Sequence, residues 1–363
     1  MYKLVVWMGG VSLHTIRVLD SFGADNEVII AYTDRTFRGL TSYEPSHLTL
    51  RHIRGMEDVE KLLADTSDYI HVNNAFKVDP GLELLKEVLA RLVKRKYTLI
   101  SLFQEQYPFY GFKGLLRRVK WGLIYNWGKG RGHRAIGCCG SLAIEALRKA
   151  MVSDKRLFNF IYTPYFDGPI SFERHDKPRF IIVGQLVSRK AVMQTVEILK
   201  STDVDFTLTI IGDGEEKEEI KNRISGDGRF EFKGVVKPDK LQREYLESDY
   251  LLLPSLFDGW GCTASEALTQ GCKVLCSDRC GASSLIKENE LLGEVFPAGD
   301  ADGYRQALLR AINAGPLPID ERERIVAWSE RISPQTEAKY LKQCLDYYFG
   351  KAGQLPDVPW KTI

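Results

Sequence analysis

Short apolar runs alternate with helical patterns along almost the whole chain, and this alternation restricts the fold more than any other feature. A parallel strand must be joined to its neighbour by a crossover, which is usually a helix. In the first half, the runs that predict strands are 2–7, 27–32, 69–72, 97–102 and 135–138. Helical patterns lie between them, for example at 81–94 and 141–150. The first half is therefore predicted to form a parallel sheet covered by helices.

The alternation breaks once, between Thr163 and Pro178, where three prolines and a glycine interrupt the periodicity. It then restarts, with strands predicted at 180–183, 206–211, 230–232, 250–253 and 273–276. The 363 residues also exceed the size of one comfortable core. We therefore expect an α/β protein with two Rossmann-like, doubly wound domains that face each other across a cleft. The expected domains are 1–168 and 169–333, and a C-terminal helix within 334–363 is expected to pack back on the first domain.

The composition is that of an ordinary globular protein. Hydrophobic residues make up 44% and charged residues 27% of the chain, without low-complexity tracts. The apolar start of the sequence is too short for a signal peptide or a membrane span, and seven cysteines, an odd number, fit a reducing compartment. We therefore expect a cytoplasmic protein. Cys272, Cys276 and Cys280 have no CxxC pair or nearby histidine, so a zinc site is not expected.

The segment from Asp249 to Glu266, DYLLLPSLFDGWGCTASE, combines a strand, a glycine-rich loop and a helix that opens near Thr263. Glycines let a ligand approach backbone amides at the positive end of a helix, so this arrangement fits a phosphate or sugar site. Two carboxylates, Asp258 and Glu266, flank the loop. The same residues also fit ordinary local structure, because Thr263 and Glu266 match a capping box and Asp258 with Gly259 matches a turn.

Four blocks of the second half occur in a fixed order: VGQLVSRKA at 183–191, LTIIGDGEE at 208–216, FKGVV at 232–236 and LLLPSLFDGWGCTASEALTQGCKVLCSD at 251–278. Together they resemble the retaining glycosyltransferases of the GT-B fold, family 4 within the glycosyl transferases group 1. The resemblance covers most of the chain and is densest from 180 to 312. It implies that the first domain binds the acceptor and the second binds a nucleotide-sugar.

The resemblance also implies roles for individual residues, of which Lys190, Asp258 and Glu266 form the catalytic set. Glu266 would bind the ribose hydroxyls, and Asp258, where the family usually has Glu, would bind hydroxyls of the transferred sugar. Lys190 would bind the diphosphate and stabilise the charge that develops there. Two glycines of the first domain and five residues of the second complete the implied donor site: Gly9, Gly10, Gly212, Val235, Trp260, Gly261 and Cys262. Packing within a loop is the alternative for Val235.

Two parts of the chain depart from the family pattern. The family usually has an arginine where this chain has Gln185, so one of two phosphate-binding cations is missing. Arg189 is a candidate replacement in the donor site, and a solvated surface charge is the alternative. In the first domain, Gln104 and Glu105 stand where the family has a His-Asp pair, and they are candidates for the acceptor site although neither reproduces imidazole chemistry. His71, at a strand end, is more typical of a packed residue than of a catalyst.

The implied mechanism requires no cofactor and no metal, because the departing phosphate takes the acceptor's proton on one face of the sugar. Asp258 then positions the sugar and does not attack it, unlike the nucleophile of retaining glycosidases. The Asp-x-Asp sequences at 203–205 and 300–302 resemble the metal motif of another transferase fold. However, the first enters a strand and the second lies where a helix cap belongs, so neither is expected to bind a metal.

The segment from Gln106 to Ile144 contains seven Lys or Arg, no acidic residue and many aromatic residues. A cationic helix of this composition is typical of a surface that binds an anionic bilayer. The residues expected to contact the membrane are Arg117, Arg118, Lys120 and Trp121. The alternative is a helix with its apolar side in the core and its cations in solvent. A nucleic-acid partner is not expected, because no nucleic-acid module is recognisable.

The sequence therefore predicts a retaining hexosyltransferase at the cytoplasmic face of the membrane. It would move a sugar from a nucleotide diphosphate, with UDP favoured, to a glycan or lipid-linked acceptor in polysaccharide or glycoconjugate assembly. Two other classes stay open. A nucleotide-sugar epimerase of the same architecture would convert the donor without an acceptor. A non-catalytic protein would bind nucleotide-sugars or an anionic polymer without turnover, and the departures at Gln185 and Gln104 favour it.

Overall fold

The computed structural model describes residues 1–33, 43–73, 83–164, 166–287 and 289–361. The chain divides into two compact units. The first unit contains Met1–Thr163 and Ile332–Pro359, and the second contains Pro164–Arg331 with the terminal residues from Trp360. The chain thus leaves the first unit, builds almost all of the second, and returns to complete the first.

Within the described residues, seven parallel strands form the sheet of the first unit. They are β1 (Lys3–Met8), β2 (Glu27–Tyr32), β3 (Thr49–His52), β4 (Ile70–Val72), β5 (Thr98–Gln104), β6 (His133–Cys138) and β7 (Leu157–Asn159). Their order in the sheet is β3-β2-β1-β4-β5-β6-β7. The chain therefore places β2 and β3 on one side of β1 and then β4 to β7 on the other side, as in doubly wound folds.

Helices follow most of these strands. They are α1 (Leu13–Gly23), α2 (Met56–Asp65), α3 (Glu83–Lys94), α4 (Gly111–Asn126) and α5 (Gly140–Lys149). In α3, Leu85, Val88, Leu89 and Leu92 recur at helical spacing, and all four are buried. They pack with apolar side chains from β1, β2 and β5 in one core cluster. The helical period in the sequence thus corresponds to the face that covers the sheet.

Strands β3 and β7 lie at the two edges of the first sheet and were not among the predicted strands. Thr49 and Arg51 of β3 are exposed, so this strand is not a continuous apolar run. Strand β7 has only three residues, of which Leu157 and Phe158 are buried. Edge strands lack the continuous hydrophobic signal of parallel strands that are covered on both faces.

In the described part of the second unit, six parallel strands form a second sheet. They are β8 (Arg179–Val183), β9 (Thr207–Ile211), β10 (Phe230–Gly234), β11 (Tyr250–Leu253), β12 (Lys273–Ser277) and β13 (Gly293–Phe296). Their order is β10-β9-β8-β11-β12-β13. The sequence predicted all of these strands except β13, in which only Phe296 is buried.

The helices of the second unit are α6 (Val192–Lys200), α7 (Lys217–Ile224), α8 (Pro238–Leu246), α9 (Cys262–Thr269), α10 (Ser283–Ile286), α11 (Ala301–Ala314) and α12 (Ile319–Ser329). Asp300 caps α11, since Asp300 Oδ1 accepts a hydrogen bond of 3.0 Å from Gly303 N, as the sequence predicted. Arg322 of α12 is buried, and its Nη2 donates to Leu246 O at 2.9 Å and to Gln270 O at 3.3 Å. It thereby links the C-terminal ends of α8 and α9.

Helix α13 (Pro334–Tyr348) belongs to the first unit, where it packs against α1. Ser333 caps its start by accepting a hydrogen bond of 3.2 Å from Thr336 N. Within the helix, Glu337 Oε1 accepts a hydrogen bond of 2.8 Å from Ile161 N. The returning chain is thus attached to the last segment of the first unit before the chain leaves it.

The order of the second sheet reverses between the neighbouring strands β8 and β11. In parallel α/β sheets, ligands bind in the crevice beyond the carboxyl ends of the two strands at such a reversal. The loops at 184–191 and 254–261 follow these two strands. In the first sheet, the corresponding reversal lies between β1 and β4.

Candidate active site

The loops that follow β8 and β11 bring Lys190 and Asp258 together. Lys190 ends a short 3₁₀ turn, Ser188–Lys190, and its Nζ forms an ion pair with Asp258 Oδ2. Both side chains are largely shielded from solvent, with 16% and 14% of their surfaces exposed. Two residues that lie 68 positions apart in the sequence therefore meet where the second sheet changes its winding direction.

The backbone around Asp258 is held by the loop after β12. Asp258 N donates to Arg279 O at 3.2 Å, and Gly281 N donates to Asp258 O at 3.3 Å. Asp258 also forms an isolated parallel bridge with Cys280. Glycine is needed at Gly281, because a Cβ there would lie 2.4 Å from Gly259 O. The position of the carboxylate is thus fixed by backbone contacts as well as by its ion pair.

Helix α9 begins directly after Gly261, which adopts a left-handed conformation with a φ of 89°. A Cβ there would lie 2.9 Å from Leu253 Cδ2, so both conformation and space favour glycine. The capping-box interpretation of Thr263 and Glu266 is wrong, because the helix starts at Cys262 with Gly261 at the N-cap position, so Thr263 lies inside the helix. The first amides of α9 thus directly follow the glycine loop, as in helices that bind anions.

Trp260, in the same loop, is a structural residue as well as an expected donor contact. Its side chain is buried, and its Nε1 donates to Ser265 Oγ at 3.2 Å. Its carbonyl accepts a hydrogen bond of 2.8 Å from Ala282 N. The indole therefore holds the loop against the first turns of α9.

Glu266 is 3% exposed and accepts a hydrogen bond of 2.8 Å from Tyr245 Oη. Tyr245 projects from α8, is fully buried, and packs against Phe166 with 5.8 Å between ring centroids. A buried carboxylate requires hydrogen-bond donors, and this hydroxyl provides one while fixing the carboxylate's orientation. Tyr245 could not be predicted from the sequence, because it precedes Glu266 by 21 residues and belongs to no motif.

The guanidinium of Arg189 lies beside Gln185. Arg189 Nη2 donates to Gln185 Oε1 at 3.2 Å, and Nη1 donates to Phe257 O at 3.2 Å. The backbones of the same two loops are joined, because Leu256 N donates to Arg189 O at 2.8 Å. Arg189 is exposed but is positioned by these bonds, so it differs from a freely solvated charge. A cation therefore stands next to the position where the family usually has an arginine.

Glycines end three neighbouring strands of the second sheet, β8, β9 and β10. Gly184 N donates to Ile211 O at 3.0 Å, and Gly212 N donates to Gly234 O at 2.8 Å. A Cβ on Gly212 would lie 1.8 Å from Gly184 O, so no side chain fits there. Val235 follows Gly234 and is 74% exposed, so the alternative of packing within a loop is not what the structure shows.

In the first unit, Gly9 and Gly10 follow β1 and line a cavity of about 220 Å³ at the carboxyl edge of the sheet. Trp7, Phe103 and Tyr162 contribute aromatic side chains to its wall. Phe103 has a φ of 57°, which is uncommon for a residue with a side chain. Its ring stacks on that of Tyr162 with 5.0 Å between centroids. The cavity is therefore largely apolar.

Gln104 and Glu105 lie at the end of β5 in the first unit. Tyr125 Oη donates to Gln104 Oε1 at 2.7 Å, and Gln104 Nε2 donates to Glu105 O at 2.8 Å. Tyr125 is fully buried, whereas Glu105 is exposed. The amide of Gln104 is thus fixed by its neighbours, and the carboxylate of Glu105 is accessible.

His71 of β4 is a packed residue. Its Nδ1 accepts a hydrogen bond of 3.1 Å from Trp7 Nε1, and its Nε2 lies 3.1 Å from Thr66 O. Burial lowers the pKa of His71 to about 4. The imidazole is therefore neutral near pH 7, with Nε2 as its donor.

The four residues expected to contact a membrane differ in their environments. Arg117 Nη1 donates to Pro108 O at 3.0 Å, and Arg118 donates to Phe109 O. Lys120 is exposed. The ring of Trp121 is directed towards the rest of the first unit. It stacks between the rings of Tyr107 and Tyr125, with 5.7 Å and 5.8 Å between centroids. No helix in the described part of the chain combines the length and the apolar character that crossing a bilayer requires.

Among the described residues, no group of three or more His, Cys, Asp or Glu side chains could hold a metal ion. Cys272 Sγ donates to Tyr245 O at 3.0 Å and to Ser248 O at 3.2 Å. Burial raises the pKa values of Cys272 and Cys280 to about 12, so these thiols stay protonated. Asp205, in the first Asp-x-Asp sequence, pairs with Lys177 at 3.0 Å.

Residues 168–331 match the family model of the glycosyl transferases group 1. This chain contains a group 1 glycosyltransferase domain. The resemblance carried by the four sequence blocks is confirmed for this domain, and the match supports the prediction of a transferase enzyme. Membership of family 4 stays a prediction.

Curated relatives of this group 1 domain are named as transferases of different sugars. The sulfoquinovosyl transferase of Arabidopsis thaliana is 28% identical over 132 residues, which cover 35% of this chain and 25% of the relative. The lipopolysaccharide 1,6-galactosyltransferase of Escherichia coli is 28% identical over 162 residues, which cover 43% of this chain and 45% of the relative. The matching segments thus span a quarter to less than half of these relatives.

Solved structures match almost the whole chain. The lipopolysaccharide outer core galactosyltransferase WaaB covers 96% of this chain and 100% of its own, with a TM-score of 0.66 and 19% identity. Anabaena HepE in complex with UDP covers 95% and 99%, with a TM-score of 0.71 and 13% identity, and it has also been solved with UDP-glucose. At these identities the likeness concerns the fold alone. It confirms the predicted GT-B class, an α/β protein of two Rossmann-like units.

Proposed function

We propose that this protein is a retaining glycosyltransferase that transfers a sugar from a nucleotide diphosphate to a glycan or lipid-linked acceptor. The observation that carries the proposal is the meeting of Lys190 and Asp258 beyond the switch-point strands of a group 1 domain, directly before the helix that holds Glu266. Polysaccharide or glycoconjugate assembly is the proposed process. No cofactor and no metal take part in the proposed reaction.

Lys190 is proposed to bind the diphosphate of the donor. Its ammonium is largely shielded from water, so its attraction to a phosphate oxygen is screened less than at an open surface. Asp258 holds this ammonium in place, and a bound diphosphate would share or replace that contact. Arg189, beside Gln185, supplies a second cation from the same loop. The first amides of α9, including that of Cys262, add donors without a side chain.

Glu266 is proposed to accept hydrogen bonds from the ribose hydroxyls. The carboxylate has two oxygens, and Tyr245 Oη donates to one of them, Oε2. This bond fixes the plane of the carboxylate and so aligns the other oxygen. Asp258 is proposed to contact the hydroxyls of the transferred sugar, and its shorter side chain reaches less far than the usual Glu.

In the proposed step, the bond between the anomeric carbon and the phosphate oxygen breaks, and a bond from an acceptor hydroxyl forms on the same face of the sugar. The hydroxyl proton moves to the departing phosphate oxygen, and the nucleoside diphosphate leaves. Lys190 stabilises the negative charge that develops on this phosphate, where a preorganised cation has its largest effect. Retention of the anomeric configuration follows from attack on the face that the phosphate leaves.

UDP is the proposed nucleotide. HepE, which shares the fold, has been solved with UDP and with UDP-glucose, and that supports a uridine donor by analogy. In this chain, a planar base would lie against the side-chain-free edge formed by Gly184 and Gly212, beside the exposed Val235. The first unit is proposed to bind the acceptor, with Gly9 and Gly10 near the donor phosphate and with Gln104 and Glu105 as acceptor contacts.

A donor panel tests this proposal. The purified protein is incubated with UDP-sugars and GDP-sugars, and binding is measured by thermal shift and by calorimetry. Release of nucleoside diphosphate is then followed with and without glycan and lipid-linked acceptors, and the anomeric configuration of the product is read by NMR. UDP release that requires an acceptor, with a retained configuration, supports the proposal.

Other outcomes of the same panel overturn it. Conversion of the donor sugar without an acceptor indicates an epimerase. Tight binding of a nucleotide-sugar without turnover over a broad acceptor panel indicates a binding protein, the class that the replacements at Gln185 and Gln104 favour. An inverted product contradicts the retaining mechanism while leaving the transferase assignment intact.

A further inference from the structure

Helix α4 of the first unit exposes an unusual number of large apolar side chains. Most of the exposed large apolar side chains among the described residues lie between 110 and 127. We use the term apolar ridge for six of them, each at least half exposed: Phe112, Leu115, Leu116, Val119, Leu123 and Trp127. Single exposed apolar residues are ordinary on protein surfaces, but a contiguous group marks an interaction site.

The members of the apolar ridge share one side of the helix. Leu115 and Leu116 are adjacent, and the other intervals are three or four residues, so the members fall within a single stripe along α4 that Trp127, the C-cap residue, continues. The opposite side carries Gly114, Trp121 and Tyr125, which pack on the first unit. Contact there is close, because a Cβ on Gly114 would lie 2.2 Å from the Phe109 carbonyl carbon, and one on Gly122 would lie 2.9 Å from Ala150 O. The ridge therefore cannot turn inward without separating the helix from the unit.

Two arginines hold the start of this helix to the loop before it. Arg117 Nη1 donates to Pro108 O at 3.0 Å, and Arg118 Nη2 donates to Phe109 O at 2.8 Å. Lys113 and Lys120, in contrast, are exposed at the border of the ridge. The sequence contains no acidic residue between 106 and 144. The surface around the ridge is therefore cationic.

We propose that α4 is an interfacial helix that inserts its apolar ridge into the headgroup and upper acyl region of an anionic bilayer. An apolar stripe bordered by cations matches such a surface in both polarity and charge. A second copy of this chain fits less well, because a symmetric contact would bring the same cations together. This membrane contact fits the proposed function, since a lipid-linked acceptor lies at a membrane. The biological purpose of the contact rests on the proposed function, but the contact itself does not.

The residues proposed to contact the lipid differ from those that the sequence predicted. Trp121 is the tryptophan that the sequence predicted at the membrane, but its ring stacks on Tyr107 inside the first unit, whereas 71% of Trp127 is exposed. In the proposal, the apolar ridge contributes most of the membrane affinity, and Lys113 and Lys120 add attraction to anionic headgroups. High salt should therefore weaken binding without abolishing it.

Tryptophan fluorescence gives a direct test. The structure describes all six tryptophans of the chain, and among them only Trp127 is exposed. Vesicles of phosphatidylcholine and phosphatidylglycerol whose acyl chains carry bromine quench a tryptophan only where it reaches those chains. The expected result is quenching in the wild-type protein and its loss in Trp127→Phe, with quenching retained in Trp121→Phe. Quenching that is lost in Trp121→Phe and kept in Trp127→Phe would overturn the assignment.

Vesicle flotation tests the ridge without any donor or acceptor, so its failure is distinct from failure of the transferase proposal. The triple variant Leu116→Ser, Val119→Ser, Leu123→Ser should partition to anionic vesicles at least about tenfold more weakly than the wild type. Ile170→Ser, at an exposed apolar residue of the second unit, is the matched control and should bind normally. Far-UV circular dichroism verifies that each variant is folded. Unchanged flotation of the folded triple variant, or light scattering that reveals a ridge-dependent dimer without vesicle binding, contradicts the proposal.

Discussion

The hydroxyl of Tyr245 donates a hydrogen bond of 2.8 Å to Glu266 Oε2, and both side chains are buried in the second unit. The pair joins α8 to α9 at the residue proposed to bind ribose. Since Tyr245 itself is fully buried, its effect on a donor would act through Glu266. Tyr245 is therefore a positioning residue.

Replacing Tyr245 with Phe should raise the KM for the donor by about tenfold and change kcat less, because a hydrogen bond to a charged group is worth about 1.5 kcal/mol or more. Steady-state kinetics with varied donor, together with calorimetry of nucleotide binding, measure the split. Tyr250→Phe removes another hydroxyl of this unit, one that lies 3.4 Å from Gly315 O, and serves as the control. An equal loss in both variants would indicate general destabilisation instead of positioning.

Lys190→Ala should lower kcat by about 100-fold, because the variant lacks the cation proposed to stabilise the departing phosphate. Turnover at saturating donor is the measurement. Lys217→Ala, in the first turn of α7, removes a more exposed lysine of the same unit and should leave turnover close to that of the wild type. Near-normal turnover of Lys190→Ala would remove this residue from the mechanism.

Asp258→Ala should separate binding of the nucleotide from turnover. The variant frees Lys190 from its ion pair, so the affinity for UDP should rise, while kcat falls because the sugar loses a proposed contact. Calorimetry with UDP and kinetics with the UDP-sugar give the two quantities. Weaker UDP binding in the variant would mean that Asp258 supports Lys190 instead of competing for it.

Arg189 and Gln185 allow a test of compensation between neighbouring positions. Arg189→Ala should weaken UDP binding by about tenfold, as loss of a charged hydrogen-bond donor to a phosphate would. Gln185→Arg, added to that variant, should restore much of the affinity, because it places a guanidinium at the position where the family usually has one. If Gln185→Arg had no effect on UDP affinity in the Arg189→Ala variant, the two positions would not bind the same phosphate.

Glu337 should make the stability of the first unit depend on pH. Burial raises the pKa of Glu337 to about 8, so the folded protein keeps a proton that the unfolded chain releases. Between about pH 5 and pH 8 the folded state therefore binds more protons, and this group's contribution to the free energy of unfolding falls as the pH rises. Glu337→Gln keeps an acceptor for Ile161 N but cannot ionise.

The difference in unfolding free energy between Glu337→Gln and the wild type should therefore grow in favour of the variant as the pH increases over this range. Denaturant titrations at several pH values measure it. Glu323→Gln, at an exposed glutamate of the second unit, is the control. A difference that stays constant with pH would show that Glu337 is ionised in the folded protein.

Among the described strands, the sequence predicted every central strand of both sheets but missed three of the four edge strands, β3, β7 and β13. Strand β11 was predicted at its observed bounds, because all four of its residues are apolar and buried. The edge strand β3 exposes Thr49 and Arg51, and β13 buries only Phe296, so neither carries a periodic signal. Burial on both faces of a parallel sheet is visible in the sequence, whereas an edge position is set by tertiary pairing.

In the candidate site, too, the sequence predicted residues that lie in motifs and missed a contact that depends on tertiary packing. Lys190, Asp258 and Glu266 were found because they lie in ordered sequence blocks. Tyr245 was missed because its contact with Glu266 exists only once α8 and α9 pack together. In α4, apolar residues occur on both sides of the helix, so the spacing alone could not decide whether Trp121 or the apolar ridge faces outward.

The return of α13 to the first unit has a consequence for biosynthesis. The chain of the first unit is interrupted after Thr163 and resumes at Ile332, so a ribosome makes nearly the whole second unit before the first can be finished. At a synthesis rate of about 5 to 20 residues per second, that interval lasts roughly 10 to 30 seconds. During it, α1 lacks the contacts that α13 later makes with it. The first unit is thus completed only after α13 has been synthesised and has packed against α1.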